Sequence, residues 1–147
     1  MNCCRIRMPT EEEIRRNLQV LEYYRENLSS LEMQMQYTQA ALADFNKARL
    51  TIQQIEKKDS EKTEVMFPLG GGSFISGSLQ SGAKILVDVG KGIVMEKSAK
   101  EAIEKLDQRI KTLQDSNQKI AEMMTKMEAE ANKLSEETQK MMEQAGQ

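Results

Sequence analysis

The apolar positions of this chain follow two different periods. From Tyr24 a seam steps by four and three through Leu28, Leu31, Met35, Thr38, Leu42, Phe45, Arg49 and Ile52, the spacing of a heptad. Ile14, Leu18 and Leu21 continue it upstream after one slip in phase between Leu21 and Tyr24. A second seam runs unbroken from Ala99 through Ile103, Leu106, Ile110, Leu113, Asn117, Ile120, Met124, Met127, Ala131, Leu134, Thr138, Met141 and Ala145. Between the two seams, residues 62–97 switch to a period of two, with glycines at the reversals.

The ends of the heptad segments carry helix signals. Thr10-Glu11-Glu12-Glu13 and Ser98-Ala99-Lys100-Glu101 are capping boxes, in which hydroxyl and carboxylate satisfy each other's backbone N–H. Lys57 and Lys58 suit the negative end of the first helix before Asp59-Ser60, and Gly146 supplies a stop for the second. Helices are therefore predicted over 10–58 and 98–145. At ~1.5 Å per residue each would be roughly 70 Å long, and a polar helix of that length needs a partner. Antiparallel pairing of Leu31 with Met124 joins a and d positions in every layer. It sets Leu21 against Leu134, Tyr24 against Ala131 and Ile52 against Ile103, and it puts the two polar seam residues, Thr38 and Asn117, in one layer.

In the middle segment Thr63, Val65, Phe67 and Leu69 alternate with Glu64, Met66 and Pro68, and Pro68 confines that strand to an edge or ends it. Gly70-Gly71-Gly72 turns the chain into Phe74–Leu79. After a turn at Gln80–Ala83, Lys84–Val89 has Ile85, Val87 and Val89 in phase, and Gly90-Lys91-Gly92 leads into Ile93–Lys97. Two hairpins bury little and leave strand edges open. Several copies or related chains are thus expected to pool them into a closed, barrel-like body through Val65, Phe67, Leu69, Phe74, Ile75, Ile85, Val87, Val89 and Ile93. The fold class predicted is α+β, mainly α: a long antiparallel two-helix coiled-coil hairpin joined by two β-hairpins.

Composition narrows the function. The chain has 147 residues, no Trp and no His, and its net charge of −2 is too balanced for capture of a nucleic-acid backbone. Without His there is no usual proton shuttle or neutral metal ligand, and no nucleophile–base–orienter set can be assembled. No catalytic residue, metal site or cofactor is expected, and the chain does not read as an enzyme. The glycine runs lack the Gly-Lys-Ser/Thr ending of a phosphate loop and are followed by strand pattern, so they read as turns. Cys3 and Cys4 are adjacent, which fits neither a disulfide framework nor a spaced zinc site. They read as part of a flexible tail over residues 1–9, in which Met8 is a candidate true start. No apolar run reaches the ~18 residues of a membrane span and no signal-peptide pattern opens the chain, so a cytoplasmic protein is expected.

Of the eleven methionines, Met35, Met124, Met127 and Met141 lie in the seams and read as core. Met33, Met123 and Met142 lie off them, as do Tyr23 and Tyr37, all in the half of the predicted hairpin far from the β segment. Flexible thioethers suit irregular apolar partners. With Ile14 and Leu18 they form the candidate binding surface.

Phe67-Pro68-Leu69-Gly70-Gly71-Gly72-Ser73-Phe74-Ile75 resembles the loop of the prefoldin alpha class. Val87-Asp88-Val89-Gly90-Lys91-Gly92 with Met95-Glu96-Lys97-Ser98 is similar to that class's second hairpin and its entry into the C-terminal helix. Phe67 stands where a smaller aliphatic residue is more usual. The resemblance implies one prefoldin-like domain over 10–147 and a hexamer of two alpha and four beta subunits. It further implies ATP-independent holding of non-native clients at the coiled-coil tips and their delivery to a group II chaperonin, with no nucleic-acid or membrane partner. The competing expectation is a structural coiled-coil scaffold or filament former that holds no clients.

Overall fold

The computed structural model describes residues 10–58 and 61–146. The expectations for residues 1–9, including the two cysteines and Met8, and for Asp59-Ser60 lie outside these described residues. In chain order the elements are α1 (Glu11–Glu56), β1 (Lys62–Gly70), β2 (Ser73–Gln80), β3 (Ile85–Gly90), β4 (Ile93–Lys97) and α2 (Ala99–Ala145). Two long helices with two antiparallel hairpins between them are thus the fold, as the change of period predicts.

Both capping boxes form. The Glu13 N–H donates to the Thr10 hydroxyl at 3.3 Å and the Thr10 N–H to the Glu13 carboxylate at 3.0 Å. At α2 the Ser98 N–H and hydroxyl both donate to Glu101, at 3.0 and 2.9 Å. These two bonds, with the nearby Lys97 charge, hold the Glu101 carboxyl below its ordinary value. Lys57 and Lys58 fall just past the last turn of α1 rather than within it.

The described residues divide into two compact units, residues 10–39 with 115–146 and the described residues of 40–114. Within the first, cross-helix contacts lie close to the predicted register: the Tyr24 hydroxyl bonds Glu130, one residue from Ala131, at 3.0 Å. That carboxylate, by accepting the phenol's proton in a hydrogen bond, raises the Tyr24 pKa. Thr38 and Asn117 do not bond each other. The Thr38 hydroxyl turns back to the Gln34 carbonyl at 2.8 Å, and Asn117 Oδ1 is buried with no hydrogen-bond partner. Thr138 is buried too, but its hydroxyl is satisfied by the Leu134 carbonyl at 2.6 Å.

The second unit holds the hydrophobic core of Ile52, Val87, Ala102 and Leu106, with Phe45, Ala48, Ile85, Ala99 and Ile103 packed against it. Ala102 lies outside the predicted seam yet is 0% exposed. A strand side chain, Val87, joins the helices here, so α2 buries a wider face than a two-helix seam requires. Arg109 ties the same elements together. Its guanidinium donates to the Asp88 carbonyl at 2.7 Å and lies 5.7 Å from the centre of the Phe45 ring. Arg49, a seam position, pairs with Asp107 at 2.9 Å.

The hairpins are two separate two-stranded sheets, β1–β2 and β3–β4. Both reverse through two residues with positive φ, Gly71-Gly72 (58° and 77°) and Lys91-Gly92 (54° and 75°), the pattern of type I′ turns. Each also slips register just before its turn, between Pro68 and Gly70 and between Asp88 and Gly90. Pro68 lies inside β1, which is tolerated because every strand of a two-stranded sheet is an edge. Phe67 leans diagonally across to β2, where a Cβ on Gly77 would meet its ring at 2.7 Å. The bulky residue at this position is thus matched by the absence of a side chain on the neighbouring strand.

Candidate functional site

Large apolar side chains are exposed in two groups, with Leu50 of α1 apart from both. On the helices of the first unit they are Leu18, Tyr23, Met33, Tyr37, Met123 and Met142, all named by the sequence as candidate binding residues. Ile14, the seventh, is half-buried. Tyr37 is the most open, at 81%, with Tyr23 at 61% and Met33 at 56%.

Helical geometry divides this set rather than gathering it. Tyr23 and Tyr37 are two heptads apart with Ser30 between them, so the three lie on one line of α1. Ser30 lines a groove of about 390 Å³ together with Asn27, Leu31, Gln34 and, from α2, Met123 and Met127. Tyr23, Tyr37 and Met123 therefore share that side, while Met33 stands on the α1 face turned from the seam. Leu18 falls on the face of Leu21, Arg25 and Ser29, and Met142 on that of Ser135, and these residues line a groove on the other side.

The second place is the hairpins. Here the expected assembly residues separate by strand face. Phe67, Leu69, Phe74, Ile75 and Ile93 are exposed. Val65, Ile85 and Val89 are half-buried, and Val87 is buried in the chain's own core. The in-phase face of β3 is thus turned inward onto α2, and its outward face shows Leu86 at 68% exposure. Met66, Val94 and Met95 are likewise exposed and were absent from the expected set. Alternation marks two faces in the sequence but does not tell which one a helix will cover.

Among the described residues, no three His, Cys, Asp or Glu side chains are grouped as a metal site, and no helix is long and apolar enough to cross a membrane. The arrangement offers apolar contact surfaces and open strand edges.

The sequence profile of the family described as prefoldin subunit matches residues 24–144. This chain belongs to the prefoldin family. Prefoldin is a chaperone family rather than an enzyme family. The chain is 31% identical over 139 residues to prefoldin subunit alpha of Methanosarcina barkeri, covering 88% of this chain and 96% of that one. To prefoldin subunit alpha of Archaeoglobus fulgidus it is 27% identical over 130 residues, covering 88% and 94%. Its fold matches a chain of filamentous PFD from Methanocaldococcus jannaschii, solved by cryo-electron microscopy, with a TM-score of 0.68 and 19% identity. That match covers 81% of this chain and 98% of that chain.

Proposed function

We propose that this chain is the alpha-type subunit of an ATP-independent holdase that assembles with beta-type subunits in the cytoplasm. The observation that carries the reading is the exposure of large apolar side chains in two separate regions of one small chain. Isolated exposed apolar residues are ordinary, but extended clusters mark contact surfaces. On the hairpins they accompany four strands with free edges, which related chains would complete. On the helices they offer weak contacts to non-native chains. Several arms presenting such contacts together would raise the effective concentration and hold a client without nucleotide. Masking apolar surface in this way suppresses aggregation until the client passes to a group II chaperonin.

The decisive experiment is suppression of aggregation of a chemically unfolded test protein, without ATP, by this chain assembled with a beta subunit. A second assembly would lack residues before Val20 and after Leu134. Protection by the full-length assembly, lost on truncation with the complex intact by light scattering, is the expected result. If the full-length assembly gives no protection, holding is refuted.

A second reading, a filament-forming scaffold, is favoured by the fold match to a chain of filamentous PFD. Electron microscopy of the chain alone and of the chain mixed with a beta subunit separates the two: open filaments of the chain alone support the scaffold, finite particles in the mixture support the holdase.

A further inference from the structure

Among the described residues, sulfur occurs only as the thioether of methionine. In the helical unit of residues 10–39 and 115–146 these thioethers fall into two classes. Met33, Met123 and Met142 are 56%, 47% and 46% exposed. Met35, Met124, Met127 and Met141, at seam positions, are half-buried. Each exposed methionine has a seam methionine one or two residues away: Met35 beside Met33, Met124 beside Met123 and Met141 beside Met142. Met141 has a further shield, because the Asn17 side-chain amide donates to its sulfur at 3.7 Å and engages a lone pair.

That lone pair is what an oxidant must reach, so susceptibility of a thioether follows its exposure. With a peroxide, the sulfur lone pair attacks one oxygen of the O–O bond. An S–O bond forms and the O–O bond breaks. The second oxygen leaves as hydroxide, takes the proton of the transferred hydroxyl and departs as water. Sulfur loses two electrons and the peroxide gains them. The sulfoxide is polar where the thioether was apolar, and enzymatic reduction restores the thioether. Neighbouring methionines are chemically alike and differ only in the helix face they occupy, so the fold alone makes the reaction selective. The exposed three also stand on different faces of the unit. Met123 lies on the side of Ser30 and Gln34, Met142 on that of Ser135, and Met33 is turned from the seam.

We propose that Met33, Met123 and Met142 are reversible oxidation sites, through which peroxides weaken the hold on apolar clients while the helix pairing stays intact. The inference rests on the holdase reading and adds a regulation to it. A sulfoxide oxygen binds water that must be shed before an apolar client can sit against it, so each oxidised site removes a favourable contact. The seam sulfurs, reached last, keep the two helices together while the surface changes.

The test treats the full-length chain, assembled with a beta subunit, with hydrogen peroxide and follows each methionine by peptide mass spectrometry. Met123 and Met142 should oxidise about threefold faster or more than Met124 and Met141. Equal rates within both pairs overturn the site assignment. Once the three exposed sites are oxidised, the assembly concentration that half-suppresses aggregation of an unfolded test protein should rise about fivefold or more, as loss of a central contact gives. Particle size by light scattering should stay the same, and methionine sulfoxide reductase with a thiol should reverse the change. An assembly carrying Met33→Leu, Met123→Leu and Met142→Leu keeps apolar side chains without sulfur. Compared with its own untreated sample, it should change less than about twofold on the same treatment. Equal sensitivity of the parent and the triple variant, or dissociation of the parent complex on oxidation, overturns the proposal. Suppression by the parent that oxidation does not alter leaves the holdase reading standing and removes this one. An untreated parent that gives no suppression refutes both.

Discussion

Replacing Arg109 by Met keeps the aliphatic stem and removes the guanidinium that links Phe45 on α1, Asp88 on β3 and α2 itself. Its two interactions can be weighed separately. A hydrogen bond from a charged donor contributes about 1.5–3 kcal/mol when sheltered. Arg109 is only half-buried, so solvent competes for the donor and about 1 kcal/mol is the better figure. The contact with the Phe45 ring adds about 0.5–1 kcal/mol at a site of this exposure. The sum, about 2 kcal/mol, should lower the melting temperature by roughly 4–8 °C for a chain of this size. Thermal unfolding by circular dichroism at one fixed protein concentration measures it, because assembly makes the midpoint concentration-dependent. A double-mutant cycle with Phe45→Leu should return a coupling of about 0.5 kcal/mol or more. Arg109→Lys should fall between parent and Met, since an ammonium retains attraction to the ring but not the planar fork. A melting temperature for Arg109→Met within about 1 °C of the parent, or strict additivity with Phe45→Leu, would refute the clasp.

Three further outcomes are expected. Asn117→Leu removes a buried oxygen with no partner and should stabilise the chain by about 1–2 kcal/mol, read as a higher urea midpoint; a lower midpoint would mean that Asn117 has a partner in solution. Gly77→Ala should destabilise the parent, because the new methyl meets the Phe67 ring, but be neutral or stabilising beside Phe67→Val. The same sign in both backgrounds would sink that account. Glu101 has a depressed pKa in the fold, so its stabilisation is fully present above the ordinary carboxylate range and is lost as pH falls through the lower folded value. Stability measured from pH 6 down to 3 should therefore fall less steeply in Glu101→Gln, and identical slopes would exclude a role for this cap.

Much of this protein was legible before any coordinates. Heptad spacing, two capping boxes and a switch to period two locate both helices and all four strands within about two residues, because these signals are local and each is satisfied by its own segment. The family was equally readable, since the glycine turns and their flanking residues are contiguous in the chain. Tyr23, Met33, Tyr37, Met123 and Met142 are exposed in the fold, because helical spacing alone excludes them from the seam. What the sequence left open were the choices that depend on a distant neighbour. Val87 and Leu86 are equally apolar, and only the docking of β3 onto α2 decides which is buried. Ala102 reads as a bland helix position until a strand closes over it. Thr38 and Asn117 share a predicted layer, yet the Thr38 hydroxyl finds a nearer acceptor in its own helix, and Asn117 Oδ1 is left unpaired. Arg109 carries no motif, and its role comes from bringing together residues far apart in the chain. Local periodicity sets where elements begin and end, whereas which face is covered, and by what, is a property of their packing.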